Sequence, residues 1–223
     1  MPPTLVHAAL GGLLAAALLD RAFSRRGVAV VVAAAAFPDL DAPLSMLLPG
    51  AHGAVLHTLL IPAAAALLLG YDTRRPDSWL RRRYGAAGVR IGWVALLACA
   101  LAGTGLDLLN LDAANPVWPV DTMYYSFVGK VEYSTTRGLV QSYYAYDPDG
   151  RWTHYVGQRG RPPGFCKPSL WNPACGNGKG SPTRVSEIVQ SGWQLLLVAS
   201  TPVVLVARAR LADEAITADG GDR

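Results

Sequence analysis

The sequence is poor in charged residues, which make up 16% of its 223 positions, against about 25% in an ordinary soluble domain. Hydrophobic residues reach 51%, and the mean hydropathy is +0.23. This composition argues against a soluble cytosolic enzyme and against a disordered tail. Basic residues exceed acidic ones only slightly, 20 against 16, and they gather at the ends of apolar runs. The sequence therefore predicts no nucleic-acid partner.

Cysteine is also scarce, and three cysteines are too few for a small fold built on disulfide bonds. Cys99 lies in an apolar run, where we expect a small buried hydrophobic residue. Cys166 and Cys175 lie nine positions apart in a segment rich in Gly and Pro. An exported location would favour a disulfide between them, with two reduced thiols as the alternative. A metal pair is disfavoured because the spacing is not Cys-x-x-Cys.

Long apolar runs are what the sequence has in abundance. A helix that crosses a bilayer needs about 20 mostly apolar residues. Five runs approach or reach this length, at residues 3–19, 28–48, 54–71, 91–109 and 188–207. Five such runs leave too few polar faces to coat a soluble core. We therefore predict a mainly α-helical polytopic membrane protein with about five transmembrane helices and a small β-containing extracytoplasmic cap.

The arginines predict the orientation of this protein in the cell membrane. Residues 20–26, residues 72–90 and the tail from 208 to 223 are rich in Arg and should face the cytoplasm. No basic residue precedes the first apolar run, so the N-terminus is not typical of a signal peptide. We expect a multi-pass protein with its N-terminus outside and its C-terminus in the cytoplasm. Three regions follow: a four-helix transmembrane metal-site region at 1–109, the cap at 110–187, and the fifth helix with a cytoplasmic tail at 188–223.

The cap region is rich in aromatic residues, Gly and Pro. Residues 131–135, 139–146 and 152–156 predict short strands, and Asp147-Pro-Asp-Gly150 predicts a turn. Residues 157–182 are expected to form an irregular loop. The aromatic side chains fit an interfacial belt, strand packing, or a platform for carbohydrate or lipid. They are Trp118, Tyr124, Tyr125, Tyr143, Tyr144 and Tyr146.

Ionisable side chains inside apolar runs are costly in a membrane and mark candidate functional sites. The set comprises His7, Asp39, Asp41, His52, His57 and Asp107. In the predicted topology all six lie toward the outer leaflet. Imidazole and carboxylate groups are ligands of zinc, manganese and iron, so we predict a divalent metal site, with zinc or manganese favoured. Asp39 and Asp41 are the candidate catalytic residues, since a carboxylate outside the coordination sphere can act as general base.

Structural roles remain open for several members of this set. Asp39 and Asp41 lie between two prolines, and their carboxylates fit a helix break at which they cap freed backbone amides. His52 also fits a solvated position in a turn, and His7 fits contact with lipid headgroups. The sequence alone does not separate these interpretations from a metal site.

A series of motifs in fixed order suggests a family. The motifs are His7, Phe37-Pro-Asp-Leu-Asp41, His52-Gly-Ala-Val-Leu-His57-Thr58, Gly105-Leu-Asp107-Leu-Leu-Asn110 and Val117-Trp-Pro119. Over about residues 5–125 this pattern resembles the YdjM-like family of membrane-bound metal-dependent hydrolases, prokaryotic proteins described as LexA-regulated or LexA-binding. The resemblance implies that the six ionisable residues hold the metal. It also implies hydrolysis of a lipid or a phosphoester, by analogy.

The chain departs from the family pattern at three positions. Gly103 stands where the pattern has His, Gly53 where it has Arg, and Leu56 where it has Thr. One alternative is therefore a catalytically inactive membrane protein of the same family, which uses its cap for envelope or protein partners. A transporter is disfavoured, since ionisable residues are lacking in the inner half of the predicted bundle.

Overall fold

The computed structural model describes residues 3–48, 50–110, 113–129, 131–141, 144–146, 152–154, 157–162, 164, 167, 169–172 and 187–220. The chain divides into two compact units. A helical unit takes in residues 2–38, 59–103 and 187–223. A mixed unit takes in residues 39–58 and 104–186 and contains all of the described strands.

Six α-helices account for most of the described chain. They are α1 (Thr4–Leu18), α2 (Arg25–Ala36), α3 (Leu60–Arg74), α4 (Trp79–Ala98), the single turn α5 (Leu106–Leu108) and α6 (Gly192–Gly220). Serine side chains cap two of them. The hydroxyl oxygen of Ser24 accepts a hydrogen bond from the backbone N–H of Gly27 in α2, and that of Ser78 accepts one from the backbone N–H of Arg81 in α4. Gly85 interrupts α4 with a φ of +67°, a conformation that glycine adopts without steric cost.

The core of the helical unit is built mainly from small aliphatic side chains. Its buried members are Ala15, Leu19, Val31, Ala35, Val94, Ala98 and Ala102. A Cβ atom placed on Gly11 would lie 2.6 Å from the Cβ of Ala35, and one on Gly12 would lie 2.8 Å from Cγ2 of Thr201. The backbone of α1 therefore approaches α2 and α6 closely, as small residues allow in membrane helix pairs.

This close approach predicts that Gly11→Ala destabilises the protein. The new side chain would overpack the contact with Ala35, at a cost of about 1–3 kcal/mol. Thermal unfolding in detergent should show a lower midpoint than the wild type. Gly70→Ala is the matched control, because a Cβ there would meet nothing closer than Trp93 at 3.7 Å. Equal midpoints for the two variants would contradict the packing described here.

Three stretches are long and apolar enough to cross a membrane: Arg25–Met46, Trp79–Leu108 and Gly192–Ala212. The first continues from α2 through 3-10 turns at Phe37–Asp41 and Pro43–Met46, and the second passes through a π-helical segment at Cys99–Gly105. The prediction of a mainly helical membrane protein is confirmed. Five full-length crossings are not, because α1 and α3 have 15 residues each and rise only about 22 Å, less than the roughly 30 Å of the hydrocarbon core.

The third apolar run begins its helix later than predicted. Residues 51–58 form turns, and α3 starts only at Leu60. The cause is a tertiary contact: the carboxylate of Asp41 accepts hydrogen bonds from the backbone N–H groups of Gly53 and Leu56. These contacts hold the chain in a non-helical path. His57 therefore precedes the helix and does not lie in its first turn.

The described strands of the mixed unit form three antiparallel pairs. They are β1 (Tyr124–Ser126) with β6 (Gly157–Gly160), β2 (Val131–Ser134) with β3 (Gly138–Gln141), and β4 (Tyr144–Tyr146) with β5 (Trp152–His154). The three predicted strand regions are confirmed, with the middle one divided between β3 and β4. The predicted irregular loop at 157–182 is wrong at its start, because β6 pairs there with β1 through backbone hydrogen bonds.

Of the three cysteines, only Cys99 lies among the residues that the structure describes. Cys99 is buried, as predicted. Cys166 and Cys175 lie outside the described residues, as does the predicted turn Asp147–Gly150, so the disulfide stays a prediction. Among the cap aromatics, Tyr124 is fully buried and packs with Ala54 and Ala113, which favours strand packing over an interfacial belt for this residue.

A buried cluster of histidines and carboxylates

Asp41 is the centre of the candidate site. Its carboxylate is fully buried in the mixed unit and receives four hydrogen bonds. Oδ1 lies 2.9 Å from Nδ1 of His52 and 3.3 Å from the backbone N of Gly53. Oδ2 lies 2.9 Å from Nδ1 of His57 and 3.3 Å from the backbone N of Leu56. One side chain thus organises the whole turn from residue 52 to residue 57.

These contacts determine which ring nitrogens carry protons. An ionised carboxylate only accepts hydrogen bonds, so Nδ1 of both His52 and His57 must donate to Asp41. In the neutral imidazole of His52 this leaves the lone pair on Nε2. His57 differs: burial lowers the pKa of its imidazole, but the charges of Asp107 and Asp41 raise it more, so the pKa lies well above its usual value and Nε2 also carries a proton, directed at Asp107. Asp41 therefore orients two rings and points the metal-binding nitrogen of each away from itself. The two ring centroids are 6.1 Å apart, and the ring planes are nearly perpendicular at 84°.

His57 connects Asp41 to two further carboxylates. Its Nε2 lies 3.1 Å from Oδ2 of Asp107 and 3.5 Å from Oδ1 of Asp39. His57 and Asp107 are fully buried, and Asp39 is 9% exposed. Five of the six ionisable residues singled out in the sequence, including His52, therefore meet in one place. Their carboxylates come from the turn after α2 and from α5, which lie more than 60 positions apart in the sequence.

His52 is held as a neutral ring. Burial lowers the pKa of its imidazole below the usual value, because a charged ring loses its hydration. The hydrogen bond to Asp41 acts in the opposite direction but does not compensate. The positive charge of Lys167 adds to the lowering. At neutral pH His52 is therefore an uncharged ring with a lone pair on Nε2.

Lys167 is a member of the cluster that the sequence did not reveal. Its Nζ donates to Oδ2 of Asp107 at 2.9 Å, and the residue is only 3% exposed. Gly53 gives it room: φ there is +76°, and a Cβ would lie 2.4 Å from Cδ of Lys167. The lysine stands in a Gly- and Pro-rich segment 60 positions after Asp107, and no local pattern singles it out.

The segment around β1 fixes the turn that carries His52. The hydroxyl of the buried Tyr124 donates to the carbonyl oxygens of Gly50 and His52. Burial raises the pKa of this hydroxyl, which keeps it protonated as a donor. The backbone N–H of Asn115 donates to the carbonyl of Gly53 at 2.8 Å. Tyr124 and Asn115 are thus supporting residues, and the sequence analysis assigned them no such role.

Residues 7 and 103, two positions at which the family pattern has His, lie in the helical unit. His7 is fully buried in α1, and its part in a metal site stays a prediction. Gly103 stands at the position of the expected His, and a Cβ there would lie 2.6 Å from Cγ of Pro38 and 3.1 Å from the carbonyl oxygen of Ala35. The packing therefore leaves no room for an imidazole at residue 103.

The cluster contains metal-ligand chemistry in a hydrogen-bonded arrangement. Among the residues that the structure describes, no group of three or more His, Cys, Asp or Glu side chains forms a ready metal site. Instead, ring nitrogens of His52 and His57 contact carboxylate oxygens, and the ammonium of Lys167 forms an ion pair with Asp107. Imidazole nitrogen and carboxylate oxygen are nevertheless the donors that zinc and manganese take in proteins. The residue types fit such an ion, whose binding stays a prediction.

A comparison with protein families finds a family model that matches more than half of the chain. The family model described as YdjM inner membrane protein matches residues 1–158. The chain matches no curated protein and no solved structure. The matched region contains all six predicted metal-site residues, from His7 to Asp107. Lys167 lies beyond it.

Proposed function

Because the chain belongs to the YdjM inner membrane protein family, we propose that its buried cluster is the active site of a membrane-embedded metal-dependent hydrolase. The observation that carries the proposal is the pair of hydrogen bonds from His52 and His57 to Asp41. Histidines that bind metals almost always donate their second ring N–H to a carboxylate, a carbonyl or a water. In this proposal Asp41 positions the two rings and is not itself a ligand.

The proposed ligands are His57, Asp39 and Asp107. The distances from Nε2 of His57 to the two carboxylates are 3.1 and 3.5 Å. Two ligands that each lie about 2.1 Å from one ion are separated by about 3.0–3.5 Å, so the three groups are near enough to share a cation once Nε2 of His57 loses its proton and the hydrogen bonds between them open. When bound, such an ion supplies Lewis acidity that polarises an ester oxygen. His52 is suited to accept a proton from the attacking water through Nε2.

The proposed substrate is a lipid or a phosphoester that reaches the site from the membrane. Three helical stretches able to cross a bilayer support a membrane-bound enzyme. The distribution of arginines supports a site on the outer side, with the N-terminus outside and the C-terminus in the cytoplasm. Substrate class and orientation rest on the resemblance and on this charge pattern.

Metal content tests the proposal directly. We expect detergent-purified protein to carry near-stoichiometric zinc or manganese, measured by elemental mass spectrometry. The double variant Asp39→Asn/His57→Ala should retain at least about tenfold less, since it loses two of three ligands. Asp77→Asn is the matched control, because it removes an acidic charge at an exposed position.

Two results would contradict the proposal. One is equal metal in the double variant and the wild type, which would place the ion elsewhere. The other is no metal in the wild type above the level of the double variant, even after supplementation. The second result would favour the non-catalytic alternative and direct attention to what the cap region binds.

A further inference from the structure

Lys167 is an unusual lysine because it is almost completely buried. Lysine is seldom fully buried unless it is paired, and here its Nζ lies 2.9 Å from Oδ2 of the buried Asp107. Removing two charges from water costs free energy that a pair only partly recovers. A buried pair of this kind needs a reason beyond stability.

The oxygen that binds Lys167 is also the oxygen that faces His57. Oδ2 of Asp107 lies 2.9 Å from Nζ of Lys167 and 3.1 Å from Nε2 of His57. A divalent cation shared by His57 and Asp107 would use this oxygen and would lie next to the ammonium. Two positive charges a few ångströms apart repel strongly in a buried site. The ammonium and the ion therefore compete for Asp107.

The chain after the lysine is held by contacts that do not involve Asp107. Two residues that follow it in the chain are anchored on Ser45: the side-chain amide of Asn172 donates to the Ser45 carbonyl at 2.9 Å, and the hydroxyls of Ser169 and Ser45 lie 3.5 Å apart. The four-carbon stem of lysine is flexible, so the ammonium can swing away by side-chain rotation. Gly53 leaves the space that this stem occupies, since a Cβ there would lie 2.4 Å from Cδ of Lys167.

We propose that Lys167 is a tethered cation that occupies Asp107 when no divalent ion is bound and that is displaced when one enters. The inference rests on the proposed function, because it concerns regulation of the same site. Metal affinity then depends on Lys167, which follows β6 in the chain, as well as on the ligands. The resting state is then a closed ion pair, and metal binding exchanges one cation for another.

Binding of Mn²⁺ alone tests the competition. Titration followed by the electron paramagnetic resonance signal of free Mn²⁺ should give a Kd about ten- to a hundredfold lower for Lys167→Met than for the wild type. Gly53→Ala should change the Kd in the same direction, because its methyl group would push the lysine stem out. Arg161→Met, which removes an exposed positive charge, should bind as the wild type does.

Displacement itself can be measured on the wild-type protein. Reductive methylation followed by peptide mass spectrometry should find Lys167 protected without Mn²⁺ and modified at saturating Mn²⁺. The two other lysines of the chain, Lys130 and Lys179, provide internal references for reagent activity. Protection of Lys167 that does not change with Mn²⁺ would overturn the displacement.

The outcomes separate this inference from the proposed function. Equal Mn²⁺ affinity in the wild type, Lys167→Met and Gly53→Ala would overturn the inference and leave the metal site intact. Absence of Mn²⁺ binding in all of them would overturn the proposed function, and this inference with it.

Discussion

Replacing Asp41 with leucine should abolish metal binding and strongly destabilise the protein. The carboxylate is fully buried and accepts hydrogen bonds from two imidazoles and two backbone N–H groups. Leucine satisfies none of these donors, so we expect a loss of roughly 3–5 kcal/mol, the range for breaking a buried charged network from one side. Thermal unfolding in detergent, together with metal content, measures both effects.

Asp41→Asn tests the orienting role of this side chain with a smaller change in shape. The amide keeps the shape of the side chain but offers one oxygen and one NH₂ group. Only one of the two imidazoles can then keep its Nδ1–H hydrogen bond, and the other must change tautomer. We expect a smaller loss of stability and about 10- to 100-fold weaker metal binding, as for other outer-sphere partners of metal ligands. A folded Asp41→Asn protein with wild-type metal affinity would refute the orienting role.

Gly103→His, which brings the chain closer to the family pattern, should destabilise it and should not add a ligand. A Cβ at this position would lie 2.6 Å from Pro38 and 3.1 Å from the carbonyl oxygen of Ala35. Neither atom is the end of a flexible side chain, so the helices must separate, at a cost of about 3 kcal/mol. The melting temperature in detergent should fall, with no gain in bound metal.

Gly92→Ala is the control for this prediction. It lies in α4, which leads into the π-helical segment that contains residue 103, and its Cβ would first meet Cδ2 of Leu69 at 3.3 Å. Because that atom ends a flexible side chain, we expect a change within about 0.5 kcal/mol. If Gly103→His melted like Gly92→Ala and bound more metal than the wild type, the packing account of residue 103 would be wrong.

Hydropathy predicted where helices form, because burial in lipid depends on the composition of a run and little on its partners. The run at 3–19 became α1, and the strands near 131–146 followed the turn signals beside them. The start of α3 was missed for a physical reason. Its delay depends on the side chain of Asp41, which binds the backbone of Gly53 and Leu56, and hydropathy contains no information on such contacts.

The sequence likewise predicted some features of the candidate site and not others. The cost of ionisable groups in apolar surroundings was enough to single out the residues that meet at Asp41. Two features were beyond the sequence: the assignment of both Nδ1 atoms to one carboxylate, and the entry of Lys167 beside Gly53. Both are tertiary contacts between distant positions. The glycine that replaces the arginine of the family pattern opens the space in which another basic side chain lies.

The position of Lys167 outside the matched region has a consequence for relatives of this chain. The family match ends at residue 158, so a protein that shares only that region would have the imidazoles and carboxylates without this ammonium. Such a protein would hold Asp107 open to any cation in its surroundings. Under the proposed function, such a relative would then bind its ion more tightly than this chain does, with the same imidazoles and carboxylates at the matched positions.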